Sequence, residues 1–225
     1  VYHQTHKGDY FVVTNDIDIQ KDVNFKGIAT QTGQVFFEGQ FDGANHTVHN
    51  FVLDGATDKV DYLGLFGICG PKSVIKNVRI AKDCKFDLYR YSAPVVGYTE
   101  GKVINCRNYA DVNAYGVYTA GVVGAAAVDT ALIESCYNAG TINTGSGSAG
   151  GVTGYNAGTL ISSRNDGAVN CSLKGTSSNS IVGGLAGYNF GLVKNSQNTA
   201  PVDGQKQVGG IAGVNSIVKT TGVGG

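Results

Sequence analysis

Gly151-Val152-Thr153-Gly154-Tyr155-Asn156-Ala157-Gly158-Thr159-Leu160 and Gly184-Leu185-Ala186-Gly187-Tyr188-Asn189-Phe190-Gly191-Leu192-Val193 are one phrase written twice. Its first four residues recur further out as Gly64-Leu65-Phe66-Gly67, Pro94-Val95-Val96-Gly97, Gly121-Val122-Val123-Gly124 and Gly210-Ile211-Ala212-Gly213. The closing glycines fall at 67, 97, 124, 154, 187 and 213, so the steps are 30, 27, 30, 33 and 26 residues. A repeat at this period marks a stacked architecture, in which a single unit cannot bury its own apolar face.

The flanks keep the same register. After the motif comes a turn, often closed by glycine (Gly101, Gly158, Gly191), and then an apolar anchor: Ile75, Val103, Ile133, Leu160, Val193 and Val218. Three residues beyond the anchor stand Val78, Cys106, Cys136, Ser163, Ser196 and Thr221, and in four repeats an Asn follows: Asn108, Asn138, Asn165 and Asn198. Nine beyond the anchor stand Cys84, Val112, Ile142, Val169 and Val202. No stretch carries a useful 3.6-residue period. The spacing predicts an all-β, single-stranded parallel β-helix with about three short strands per coil. Crossover connections favour a right-handed path. Asn is expected at turns because it tolerates left-handed backbone, and in ladders because its amide bonds along the stack.

Residues 1–60 read as first coils that seal one end. Strands flank a turn at Asn15-Asp16, and Asp42-Gly43-Ala44-Asn45 turns between two more. Residues 61–225 read as six repeats, the last stopping at Gly222-Val223-Gly224-Gly225, all in one continuous domain. That last coil is expected to be open and to invite self-association. Val1 begins neither with Met nor with a signal-peptide pattern, so a mature form or an excised piece is expected.

Composition narrows the function. The chain has 225 residues, 34 of them Gly and 3 Pro, with 42% hydrophobic and 15% charged. Lys plus Arg and Asp plus Glu number 17 each, which argues against nucleic acid as the main partner and gives no support for anionic lipid. No run approaches a transmembrane helix, so no membrane insertion is expected. Five cysteines (Cys69, Cys84, Cys106, Cys136, Cys171) include no CxxC spacing, which argues against a zinc or redox motif. Cys106 and Cys136 occupy equivalent positions in neighbouring coils. Parallel, same-facing side chains suit a disulfide poorly, so a reduced, buried stack is expected.

At Gly64–Gly67 and Gly184–Gly187 the chain resembles the GLUG-repeat family, whose hallmark is Gly-Leu-(apolar)-Gly. Phe41 to Val48, followed by Asn50-Phe51-Val52-Leu53, resembles the stretch that precedes the first such motif in that family. The resemblance covers roughly Tyr10 to Val218. It implies a β-helix in secreted or cell-surface bacterial proteins, many of them adhesin-like, some lying beside secreted proteases. It supplies no catalytic residue.

The candidate chemistry is sparse. His46 and His49 near Asp42 suggest a metal or acid–base cluster, but turn chemistry alone accounts for Asp42-Gly43. Asp16, Asp18 and Asp22 lack the Gly-x-Asp pattern of calcium-binding β-rolls. Asp83, Asp87 and Arg90 contain an acid pair of the type glycoside hydrolysis uses, isolated in one loop. Gly-x-x-Gly lacks the helix and Lys of a phosphate loop. No cofactor and no catalysis are expected. The surface signal is tyrosine: Tyr89, Tyr91, Tyr98, Tyr115, Tyr118, Tyr155 and Tyr188 form a candidate platform for a glycan or protein ligand. The expected role is a non-enzymatic extracellular stalk or adhesion module. The alternatives are an end-to-end filament subunit and an accessory module of a secreted protease or polysaccharide-acting enzyme.

Overall fold

The computed structural model describes residues 8–19, 25–30, 36–145, 147–172 and 180–216. Within them every sheet is parallel, and each strand pairs with its counterpart one repeat away. The chain is a β-solenoid. Val218, Thr221 and the terminal glycines lie outside the described residues, and with them the expected open C-terminal coil.

Five sheets run along the stack. Sheet 1 holds the Gly-x-x-Gly strands, from Phe66–Cys69 and Val96–Thr99 to Ala186–Asn189 and Ala212–Asn215. Sheet 2 holds the anchors, as in Val74–Lys76, Lys102–Ile104 and Leu132–Glu134. Sheet 3 holds two-residue strands such as Arg79–Ile80, Arg107–Asn108 and Tyr137–Asn138. Sheet 4 runs from Val52–Asp54 through Lys85–Leu88 to Val202–Asp203. Sheet 5, beginning with Thr119–Ala120 and Ser148–Gly150, lies just before the motif. The strands of the first sixty residues join the same stacks: Tyr10–Val12 pairs with Gln40–Asp42, and that strand with Val74–Lys76.

The expectation of about three strands per coil is corrected to four or five. The stretch after each anchor is broken by a residue in left-handed conformation: Asn77, Asn105, Ser135, Ser162 and Asn195, with φ between 50° and 57°. Each turns the chain from sheet 2 into sheet 3. Asn and Ser bear this backbone better than branched residues. The extra strand of sheet 5 has a different cause. It packs directly on sheet 1, backbone to backbone, and the second glycine of the motif makes room. A Cβ on Gly124 would lie 2.5 Å from the Ser92 nitrogen and 2.6 Å from the Tyr91 carbonyl carbon. On Gly97 it would lie 2.7 Å from the Tyr91 oxygen. None of the motif glycines has positive φ, so close approach, not turn conformation, selects glycine there.

The interior changes along the stack. At the N-terminal end it is aromatic. Phe37 and Phe41 pack on Phe66 at 4.9 and 5.0 Å, and Phe51 on Phe86 at 5.7 Å. Phe51, Phe66 and Phe86 are essentially inaccessible, each burial contributing roughly 2–3 kcal/mol. From Asn108 onward a polar ladder runs inside. The Asn108 amide donates to Asn138 Oδ1, Asn138 to Asn165 and Asn165 to Asn198, each at 2.8 Å. Each amide also donates to the carbonyl two residues on. Buried amides are thereby satisfied, which their burial requires. The first motif glycine backs this ladder, because a Cβ on Gly121, Gly151 or Gly184 would collide with the amide of Asn138, Asn165 or Asn198. The two roles expected of Asn are therefore split between ladder residues inside and left-handed residues at the turn. All five cysteines are unbonded and buried. Burial holds the Cys106 thiol well above its usual range and pushes Cys84 up to about 12.

Candidate functional site

The tyrosines converge on one edge. Two ladders supply them. The outward positions of sheet 1 stack Ile68, Tyr98, Ala125, Tyr155, Tyr188 and Val214 in successive coils. The corner before sheet 5 supplies Tyr62, Tyr91 and Tyr118, all left-handed with φ of 59°, 51° and 59°. An aromatic residue in that conformation is a strained outlier of roughly 1–3 kcal/mol. Each is held by its own N–H, which donates to Arg90 O, Val117 O and Ser148 Oγ respectively.

Rings from the two ladders interleave. Tyr62 stacks on Tyr91 at 5.0 Å and meets Tyr98 edge-on at 5.9 Å. Tyr91 leans on Tyr118 at 5.0 Å. Tyr118 meets Tyr155 and Tyr188 at 5.2 and 5.7 Å, and Phe190 closes the row against both. Between Tyr98 and Tyr155 in the strand ladder stands Ala125, which contributes no ring. The result is a continuous aromatic stripe of seven half-buried rings. Burial raises the Tyr62 and Tyr118 phenols, and burial with the neighbouring Glu100 pushes Tyr98 up to about 12. These hydroxyls stay protonated across physiological pH, as hydrogen-bond donors on an apolar surface. Tyr98 uses its own on Glu100 at 3.2 Å.

Five of the seven expected platform residues, Tyr91, Tyr98, Tyr118, Tyr155 and Tyr188, thus form one surface. Tyr89 and Tyr115 belong to the next corner, at equivalent positions after Leu88 and Ala114. The Tyr89 ring lies under the Arg90 guanidinium at 5.3 Å, and Tyr115 is 49% exposed. Tyr62 and Phe190 complete the stripe without having been expected. Tyr62 sits one residue closer to its motif than Tyr91 and Tyr118 do, and that offset hides it from a strict alignment.

The other candidates separate. Asp42 is a turn residue held by Asn77, the Ala44 N–H, Lys76 and Tyr10. Burial alone would raise its carboxyl, but these bonds bring it down to about 2. His46 pairs with Asp16 at 3.2 Å and His49 with Asp83 at 2.8 Å. Of the expected acid pair, Asp83 is engaged by His49 at 2.8 Å, while Asp87 accepts from Asn113 at 2.9 Å. Arg90 is committed to Asp61 through two bonds of 3.0 and 2.8 Å. Asp22 lies outside the described residues. Among those described, no group of three His, Cys, Asp or Glu is placed to hold a metal ion, and no helix is long and apolar enough to cross a membrane. The chain matches no family model, no curated protein and no solved structure.

Proposed function

We propose that this chain is a non-enzymatic, rigid module of a secreted or surface-anchored bacterial protein, displaying its aromatic stripe to a glycan or protein ligand. The observation that carries the reading is the stripe itself: seven rings in unbroken contact along one edge. Tyrosine faces and hydroxyls suit the face of a sugar ring or an apolar protein anchor. The in-register stack fixes the spacing of the strand tyrosines from coil to coil. The secreted, bacterial setting draws on the GLUG-like motifs at Gly64–Gly67 and Gly184–Gly187.

The test is an array of uncharged glycans probed with the purified chain, the variant Tyr98→Ala/Tyr155→Ala/Tyr188→Ala and the control Tyr115→Ala. Circular dichroism melts establish that each is folded. Binding retained by the control and lost by a folded stripe variant is expected. Equal binding by all three removes the stripe from the reading, and no binding to any glycan removes the glycan ligand.

A further inference from the structure

We propose a second surface on sheet 3, centred on Arg79 and Arg107 with Tyr109 and Tyr137, that binds a saccharide carrying sulfate or carboxylate groups. It lies on a different sheet from the aromatic stripe and stands on separate observations.

The outward positions of sheet 3 stack Thr47, Arg79, Arg107, Tyr137 and Arg164 in consecutive coils. Their alternates Val48, Ile80, Asn108, Asn138 and Asn165 are buried, so this row points away from the core. Arg79 and Arg107 are therefore neighbours about 4.8 Å apart along the stack. Arg164 is matched by Asp166 at 2.7 Å. Arg79 and Arg107 are not matched: neither joins an ion pair among the described residues. Among the described residues, Arg79 reaches only the Asn45 amide oxygen, at 3.4 Å. Both side chains are half-buried, and the Nε of each is covered without an acceptor. Two partly desolvated like charges side by side, with no carboxylate within ion-pair reach of either among the described residues, favour an anion bridging their outer nitrogens. Guanidinium groups bind such anions through paired, charge-assisted hydrogen bonds.

The surroundings select the rest of the ligand. Tyr137 sits directly above Arg107, and Tyr109 meets it edge-on at 5.9 Å. Tyr109 opens onto a shallow groove of about 550 Å³ with Lys82, Asp111, Ala139 and Thr141. On the other side of the arginines runs a row of neutral amides. Asn105 Nδ2 donates to Asn77 Oδ1 at 2.7 Å, with Asn45 next in the row. Cations for the acidic group, rings for the pyranose face and amides for hydroxyls are what an acidic sugar needs. A polyphosphate fits less well, because it makes no use of the rings of Tyr109 and Tyr137 or of the neutral amides of Asn45, Asn77 and Asn105. Sequence alignment carries a trace of this surface, since Arg79, Arg107 and Arg164 all stand four residues after an anchor.

Isothermal titration of the chain at low salt with a heparin-derived tetrasaccharide and with an oligogalacturonate separates sulfate from carboxylate as the recognised group. A neutral oligosaccharide, single-stranded DNA and inorganic sulfate serve as comparisons. Binding of at least one acidic saccharide is expected, weakened about tenfold or more by Arg107→Gln and progressively by added salt. Tyr109→Ala is expected to weaken the saccharide while leaving inorganic sulfate unchanged. Melting curves confirm that these surface variants are folded. No binding of either acidic saccharide, binding indifferent to Arg79→Gln and Arg107→Gln, or equal Arg-dependent binding of DNA would each overturn the proposal. Loss of the stripe in Tyr98→Ala/Tyr155→Ala/Tyr188→Ala leaves this binding in place, so the two surfaces fail or stand separately.

Discussion

Gly97, Gly124 and Gly154 are where two layers of backbone touch. A methyl group at Gly124 has nowhere to go, because the atoms it meets are the main chain of Tyr91 and Ser92 and not a flexible side chain. Gly145, by contrast, would place its Cβ 3.9 Å from the Ala114 oxygen, an ordinary contact. Gly124→Ala is expected to destabilise the chain by about 2 kcal/mol or more, as overpacking does, lowering the melting temperature by about 5 °C. Gly145→Ala is expected to leave it within about 1 °C. Parallel thermal melts check both. Equal effects would mean that the motif glycines are not steric seats.

The corner joining the first coils is held by side-chain pairs. Asp16 accepts the Thr47 N–H and faces His46, Asp18 accepts from Asn50, and Asp83 binds both His49 and the Asn50 N–H. The hydrogen bond to Asp83 raises the His49 pKa above 6.5, with Asp16 and Asp18 adding to the effect. The same bond lowers Asp83 below 3.8. His49 therefore contributes fully below pH 6.5, and its contribution is lost as pH rises through the raised value. Asp83 contributes above pH 3.8 and loses its part as pH falls through the lowered value. Both act together between about pH 4 and 6.5. Raising pH from 6 to 9 should lower the melting temperature of the native chain by about 1 °C more than that of His49→Gln, the size fitting an exposed pair. Identical pH profiles would contradict the assignment.

The strands and turns of the stack differ in how much the amino-acid string discloses. The anchors Ile75, Val103, Ile133 and Leu160 are legible because an inward ladder must repeat one apolar type at one register. Asn108, Asn138 and Asn165 are legible for the same reason. The break after each anchor is not, because Asn77, Asn105, Ser135 and Ser162 look like ordinary polar residues until their left-handed backbone is seen. The function of Gly-x-x-Gly is hidden too: a glycine selected for close approach and one selected for a turn read alike. Tyr155 and Tyr188 announce their shared position, whereas Tyr62 joins the stripe through ring contacts across coils. Arg79 and Arg107 stand out only when neither is found in an ion pair among the described residues.

Taken whole, the molecule is a stack in which position along the axis is counted in coils. Sheet 4 gives the count most cleanly: Asp54 pairs with Asp87, then Asn113, Asn143, Asn170 and Asp203 in turn. Both proposed surfaces depend on that register, since each assembles residues from several coils that share one outward position. Cysteines introduced at Asp54 and Asp203, both exposed, can be spin-labelled while the five native thiols stay buried. Five strand spacings separate the labels, so pulsed dipolar spectroscopy should give a distance centred at about 24 Å. Moving the first label from Asp54 to Asp87 should shorten it by about 5 Å. A distance well beyond 30 Å, or one that does not change when the label moves by one coil, would contradict a parallel stack in this register.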